Sequence, residues 1–295
     1  MIINWAQVLF NSAITGSLYL IGAVGLTLTY GLSRFPNFAH AEFITLGAFI
    51  GYLAAEQLGL GLPLALIVAF LFTGMVGVLS YQGVFQPLAK GGATIIHLMV
   101  ASIALSLILR YSIGALWGWK PFYFSTTWSS FEVGPLRITS LWLWLILAAV
   151  SLALIMHFVL VKTKIGKAIR ATSSNPELSL ASGIQINRVI LITWFIGGGL
   201  AAIAGIFRAA DTQLWPMTGW DIILPMFAVA ILGGIGNFYG SIVAAYIIGL
   251  AENLGVIALV ALGVSTEYRI AIAFLILIIT LIVKPQGLAM LFRRA

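Results

Sequence analysis

The apolar positions of this chain neither alternate with polar ones nor mark one narrow stripe on a helix. They come in unbroken runs, separated by short breaks rich in glycine, proline and charge. A helix rises about 1.5 Å per residue, so about 20 apolar residues cross a hydrocarbon core about 30 Å thick. Runs of this kind occupy about 8–32, 38–58, 64–85, 94–117, 141–161 and 189–210, followed by a longer one at 222–254 and a last one at 269–283. The breaks have physical causes. Pro36 cannot extend the first run, Gly59 and Pro63 turn the chain after the second, and Pro87 with Gly91 and Gly92 closes the third. A loop at 118–140 holds Pro121 and Pro135 among aromatic residues; a turn at 211–221 holds Trp215, Pro216 and Trp220, residue types suited to a membrane interface. The pattern predicts an all-α polytopic membrane protein with about eight membrane segments in a single domain over 1–295. It excludes a β-barrel, whose strands alternate.

Charge adds an orientation. The chain carries 15 Lys and Arg against 8 Asp and Glu, a net charge of +7. In membrane proteins such an excess gathers in cytoplasmic loops. With the basic stretch at 162–188 in the cytoplasm, Arg34, Lys90, Lys162, Lys164, Lys167, Arg170, Arg188, Lys284, Arg293 and Arg294 fall inside; Lys120, Arg137, Arg208 and Arg269 fall outside. Arg110, within the fourth run, is near enough to its outer end to snorkel. The first run follows a segment without Lys or Arg and reads as a retained span, with the N-terminus outside and the C-terminus inside. The same parity makes 222–254 start and finish on the outer side. It therefore breaks at Gly233, Gly234, Gly236 and Asn237, either as a re-entrant pair of half-helices or as two short spans. Irregular backbone at membrane depth survives only against protein or a water-filled cavity. The cluster is thus expected to line or gate a transport route.

Composition narrows the function. Hydrophobic residues make up 61% of the chain and charged ones 8%, with a mean hydropathy of +1.10. Soluble domains are about 25% charged, so a cytosolic enzyme, a nucleic-acid-binding domain and a disordered chain are excluded. There is no cysteine, and His40, His97 and His157 share no metal-ligand spacing. The His-Glu-x-x-His, Gly-x-Ser-x-Gly and P-loop patterns are missing, which leaves no catalytic residue and no ATP site to nominate. Ion coupling would call for ionisable groups at mid-membrane. Glu42 is placed near the inner end of the second run and Glu252 near the outer end of the seventh, neither of them central. The sequence also offers no obvious charged pair to meet the two charges of an amino acid zwitterion. Small residues four apart, at Gly47/Gly51, Ala201/Gly205 and Gly236/Gly240, point to close helix packing within the chain or against a second subunit.

The stretch at 162–188 is the most informative. Asn175-Pro176-Glu177 combines a cap residue, a proline suited to the first helical position and an acid in the first turn, and Gly183 is placed to end the helix. A short helix over 176–182 is predicted to lie along the membrane, with Leu178, Leu180 and Ala181 free to dock into a groove on a cytoplasmic partner. An ordinary basic loop would have the same composition. Residues 165–205, IGKAIRATSSNPELSLASGIQINRVILITWFIGGGLAAIAG, resemble the LivH-like permeases of branched-chain amino acid ABC importers. So do 25–47, GLTLTYGLSRFPNFAHAEFITLG, and 227–249, FAVAILGGIGNFYGSIVAAYIIG. The sequence departs from that pattern at Ala41, where the family usually has glycine, and at Ser179 and Ser182, where alanines are common.

The resemblance implies a transmembrane permease that forms half of a pathway for leucine, isoleucine and valine, or, as in related permeases, for urea or short-chain amides. An ion-coupled secondary transporter is the other class left open. The partners implied are a second, LivM-like permease, two ATP-binding cassette subunits that bind and hydrolyse the ATP, an extracytoplasmic solute-binding protein, and membrane lipid. The chain itself would be neither an enzyme nor a holder of cofactor or metal. Coupling to the ATPase is expected at Gly166, Arg170, Glu177 and Gly183, with Arg170 pairing either with an ATPase acid or with Glu177. Asn37, His40 and Glu42, placed where the second run begins at the inner face, would either tie two helices together or gate the route.

Overall fold

The computed structural model describes residues 3–126, 128–284 and 287–288; Arg293 and Arg294, counted above for orientation, lie outside them. Helix α1 (Trp5–Ser33) starts at Asn4, whose side chain accepts from the Gln7 amide, and stops where Arg34 turns left-handed at φ 59° ahead of Pro36. Helix α2 (His40–Tyr52) runs on through a π-helical turn, Leu53–Gln57. Helix α3 (Gly61–Ser80) continues through a second π-helical turn, Tyr81–Phe85, into α4 (Gln86–Lys90). Pro87 was expected to close this run. It sits instead in the first turn of α4, where its missing N–H costs least, and the rod extends to Lys90.

Helix α5 is Ile95–Trp117. The loop after it folds into an antiparallel hairpin that sequence reasoning had not foreseen, β1 (Ser130–Val133) with β2 (Leu136–Thr139). Then come α6 (Ser140–Lys162), α7 (Lys164–Ser174), α8 (Pro176–Ala181) and α9 (Ile186–Asp211). The 222–254 run does break, into α10 (Trp220–Gly233) and α11 (Phe238–Ala261), and α12 (Arg269–Val283) follows. Seven helical rods among the described residues are long and apolar enough to cross a membrane; α10, with 14 residues, is shorter. The chain is a predominantly helical, polytopic membrane protein.

Helices α1 and α9 form the centre. α1 packs on α9, α10 and α11, and α9 also packs on α2 and α3. Glycine permits this closeness: a Cβ on Gly25 would lie 2.6 Å from the Gly197 carbonyl oxygen, and one on Gly205 would lie 2.0 Å from that of Ile44. A Cβ on Gly47 would meet the Ala202 Cα at 2.2 Å. These small residues therefore serve contacts inside the chain. The peripheral rods present apolar side chains outward, among them Ile67, Ile108, Leu154 and Ile282. Below, the loop face is the end of the bundle bearing Arg34, Lys90 and residues 162–188, and the far face is the opposite end.

Candidate functional site

On the loop face, α7 folds back against the end of α6. Thr163 caps it by accepting from the Gly166 amide at 3.1 Å. Gly166 is buried at the crossing, where a Cβ would lie 2.1 Å from the Val159 carbonyl oxygen, so this glycine seats the helix. The predicted short helix exists as α8: Asn175 Oδ1 accepts from the Leu178 amide at 3.0 Å, and Gly183 turns left-handed at φ 79°. Leu178 and Leu180 are 64% and 65% exposed. Arg170 and Glu177 are both exposed and form no ion pair with each other, which removes one of the two partners expected for Arg170.

A cleft of about 790 Å³ opens beside α7. Arg170, Gly31, Leu160, Gly236 and Asn237 are among its walls, so one residue expected for coupling and two expected for the route share it. Its floor is a junction of three elements. Ser173 Oγ donates to the Gly31 carbonyl at 3.3 Å, and the Gly236 amide donates to Thr27 Oγ1 at 3.0 Å. The α10–α11 turn thus rests on the last turns of α1, next to α7. Gly234 and Gly236 take φ of 93° and 77°, a region favouring glycine. Asn237 caps α11 by accepting from the Gly240 amide at 2.9 Å. Gly233 and Gly240 meet backbone to backbone. Of the two arrangements left open by the sequence, this is the pair of spans: the glycine cluster is level with Gly31, near the loop-face end of α1.

Irregular backbone at depth occurs elsewhere, where α2 and α10 begin. After α1 ends, the chain climbs back into the bundle. His40 is buried with Nε2 3.1 Å from the Gly22 carbonyl oxygen, and Gly22 lies roughly 16 Å along α1 from its Ser33 end. His40 and Glu42 therefore do not sit at the inner face, as the run pattern suggested, but near mid-bundle. The backbone amides that open this break are met by side chains, while Asn37 Nδ2 is buried without a partner. Asn37 Oδ1 accepts from the Ala39 amide at 3.1 Å, and Ser102 Oγ accepts from the Phe38 amide at 3.1 Å. The start of α10 reaches the same level, because the Gly219 amide donates to Thr45 Oγ1 at 3.0 Å.

Glu42 is fully buried beside this junction. Its Oε1 accepts from Ser106 Oγ at 3.0 Å and from Arg110 Nη2 at 2.6 Å. The Arg110 guanidinium lies 4.4 Å from the centre of the Trp220 ring. Arg110 thus turns inward and does not snorkel. Glu252 is also buried, accepting from the Tyr19 hydroxyl at 2.8 Å. Sequence reasoning missed both pairings. Their one available signal was the presence of charge inside apolar runs, and the partners are 68 and 233 positions apart.

The sequence profile of the family described as branched-chain amino acid transport system, permease component, matches residues 8–281. The probable branched-chain amino acid transport permease protein LivH of Methanocaldococcus jannaschii is 31% identical over 290 residues, covering 96% of this chain and 91% of that one. The high-affinity branched-chain amino acid transport system permease protein LivH of Salmonella typhimurium is 29% identical, covering 96% and 94%. The corresponding protein BraD of Pseudomonas aeruginosa is 27% identical, covering 97% and 96%. With the profile running from the first helix to the last, the chain belongs to the family of branched-chain amino acid transport permease components.

Proposed function

We propose that this chain is the permease subunit of an ATP-driven importer and supplies one half of a membrane route for leucine, isoleucine and valine. The observation that carries this reading is the near full-length match to permeases of branched-chain amino acid transport systems. In this reading the loop face is cytosolic, a placement supported by the ten basic residues that fall on that side of the sequence count. Two ATP-binding cassette subunits bind and hydrolyse ATP there, a second permease completes the route, and an extracytoplasmic binding protein delivers the amino acid.

The loop-face geometry suits a mechanical input. Leu178 and Leu180 stand out from α8 as an apolar handle for the ATPase. A pull on α8 moves α7, to which it is joined directly. α7 bears on Gly31 through Ser173, and the same spot carries the α10–α11 turn through Gly236. Displacement of this junction shifts α1 and the α10–α11 hairpin together, as alternating access between two packed arrangements requires.

The test is co-expression with the ATPase, second permease and binding-protein subunits of a branched-chain amino acid importer, then reconstitution into vesicles. ATP- and binding-protein-dependent accumulation of labelled leucine, isoleucine and valine is expected. Accumulation of urea or an amide in place of these, or a permease that brings down no ATPase, overturns the reading.

A further inference from the structure

At the far face, the turn between α9 and α10 dips into the bundle and leaves a cavity of about 180 Å³, lined by Arg208, Thr212, Gln213, Trp215, Thr218 and Asp221. Most of its neutral polar groups are already engaged. Thr212 Oγ1 donates to the Arg208 carbonyl at 2.9 Å, and Thr218 Oγ1 donates to the Trp215 carbonyl at 2.8 Å. Gln213 Oε1 accepts from the Tyr123 hydroxyl at 3.3 Å. Asp221 Oδ2 accepts from Trp215 Nε1 at 3.1 Å. Besides Gln213 Nε2, which donates to no described residue, two charged groups are left over. The Arg208 guanidinium makes no hydrogen bond or ion pair among the described residues, and Asp221 Oδ1 accepts none. Two acids near Arg208 have other partners: Asp211 accepts from Trp142 Nε1 at 2.7 Å, and the buried Glu252 accepts from the Tyr19 hydroxyl at 2.8 Å.

Opposite charges that share a half-buried cavity ordinarily close on each other, because a desolvated charge is costly without a partner. Arg208 and Asp221 are held on separate helices and do not close. The gap fits a solute that carries both complementary charges on one small head. Resting on the reading that the cargo is an amino acid, the geometry points to this cavity as a binding site for the zwitterionic head group. Arg208 receives the carboxylate and Asp221 Oδ1 receives the ammonium. Asp221 also stands in the first turn of α10, where an acid is favoured; that accounts for its sign but not for the unpaired guanidinium opposite. The site lies one residue from Trp220, which covers Arg110, so a bound head group sits directly above the mid-bundle junction of α2 and α10. The volume is below the roughly 300–1,000 Å³ of pockets that enclose a whole drug-sized ligand. The site therefore reads the head group and leaves the aliphatic side chain outside it, consistent with one permease serving three branched side chains.

The test uses the reconstituted complex without its binding protein and measures bound radiolabelled leucine. Competition comes from 3-methylbutylamine, which lacks the carboxylate, and from 4-methylpentanoate, which lacks the ammonium. In the wild type, leucine is bound and both analogues compete poorly. Arg208→Gln and Asp221→Asn should each weaken leucine binding about tenfold or more, as expected for loss of a charge-assisted hydrogen bond. Arg208→Gln should also erase the preference for leucine over the amine, and Asp221→Asn the preference over the acid. A purely structural role would not move these two preferences separately. Capture of the binding protein by each variant is measured in parallel. If the variants lose that capture but bind leucine as the wild type does, the two charges are a docking contact and the head-group site is overturned. If wild-type vesicles import leucine while both variants keep wild-type binding and preferences, the site is overturned and the family-based reading stands. If the wild type neither binds nor imports leucine, both fall.

Discussion

Arg110 and Glu42 meet inside the bundle, with Nη2 of the arginine 2.6 Å and Nε 3.0 Å from a single carboxylate oxygen, Oε1. Removing one member of a buried pair leaves the other charge without compensation, at a cost of about 3–5 kcal/mol. Arg110→Leu should therefore lower the thermal unfolding midpoint of the detergent-solubilised protein sharply. Adding Glu42→Met should recover most of the loss, since an apolar pair of similar volume is often as stable as the ions it replaces. If the single variant melts with the wild type, the pair holds nothing together. If the double variant is stable yet transports nothing, the pair serves transport and not folding.

Glycines at helix crossings differ in what a side chain would meet. Gly205→Leu drives a side chain into the Ile44 carbonyl and should destabilise the α2–α9 contact by about 1–3 kcal/mol or more. Gly83 faces nothing within 4 Å among the described residues, and Gly83→Ala should change stability by about 0.5 kcal/mol or less. Urea-induced loss of helicity in mixed micelles compares the two. Equal behaviour would mean that close approach at Gly205 is unimportant.

Gly183 holds a left-handed φ of 79° with open space around it, so a substitution there acts through the backbone alone. Valine adopts this region poorly and asparagine comparatively well. Gly183→Val should abolish most ATP-driven uptake while membrane insertion is normal, and Gly183→Asn should retain it. Paired measurements of uptake and ATP hydrolysis in vesicles decide. Normal uptake by the valine variant would show that this turn does not aim α8.

The chain has no cysteine, so single introduced thiols report access directly. Ile235, 46% exposed in the turn beside the loop-face cleft, is a suitable site. Ile235→Cys should react with a membrane-impermeant maleimide in inside-out vesicles and be protected in right-side-out ones. The reverse pattern would invert the proposed orientation.

Helix existence was legible because a run of some 20 apolar residues leaves few alternatives. The short helix α8 was legible because Asn175, Pro176 and Gly183 are local signals, each acting within a few residues. Depth was not legible. Pro36 marks where α1 stops, but nothing local says that the chain then climbs to the level of Gly22 before α2 starts. The glycine cluster at 233–236 signals the turn that the structure has but carries no information on where along the membrane normal it falls, so it could not decide between half-helices and short spans. Pairings such as Glu42 with Arg110, and the convergence of Arg208 with Asp221 on one cavity, depend on how helices are arranged around α1 and α9. The single-residue pattern holds no trace of that arrangement.

The contact of Gly25 with Gly197 bears on how anything passes this protein. Two central rods whose backbones touch leave no lumen between them, and a solute cannot be threaded through their shared axis. In the proposed half-pathway the track therefore skirts the pair, and its remaining wall would come from the second permease.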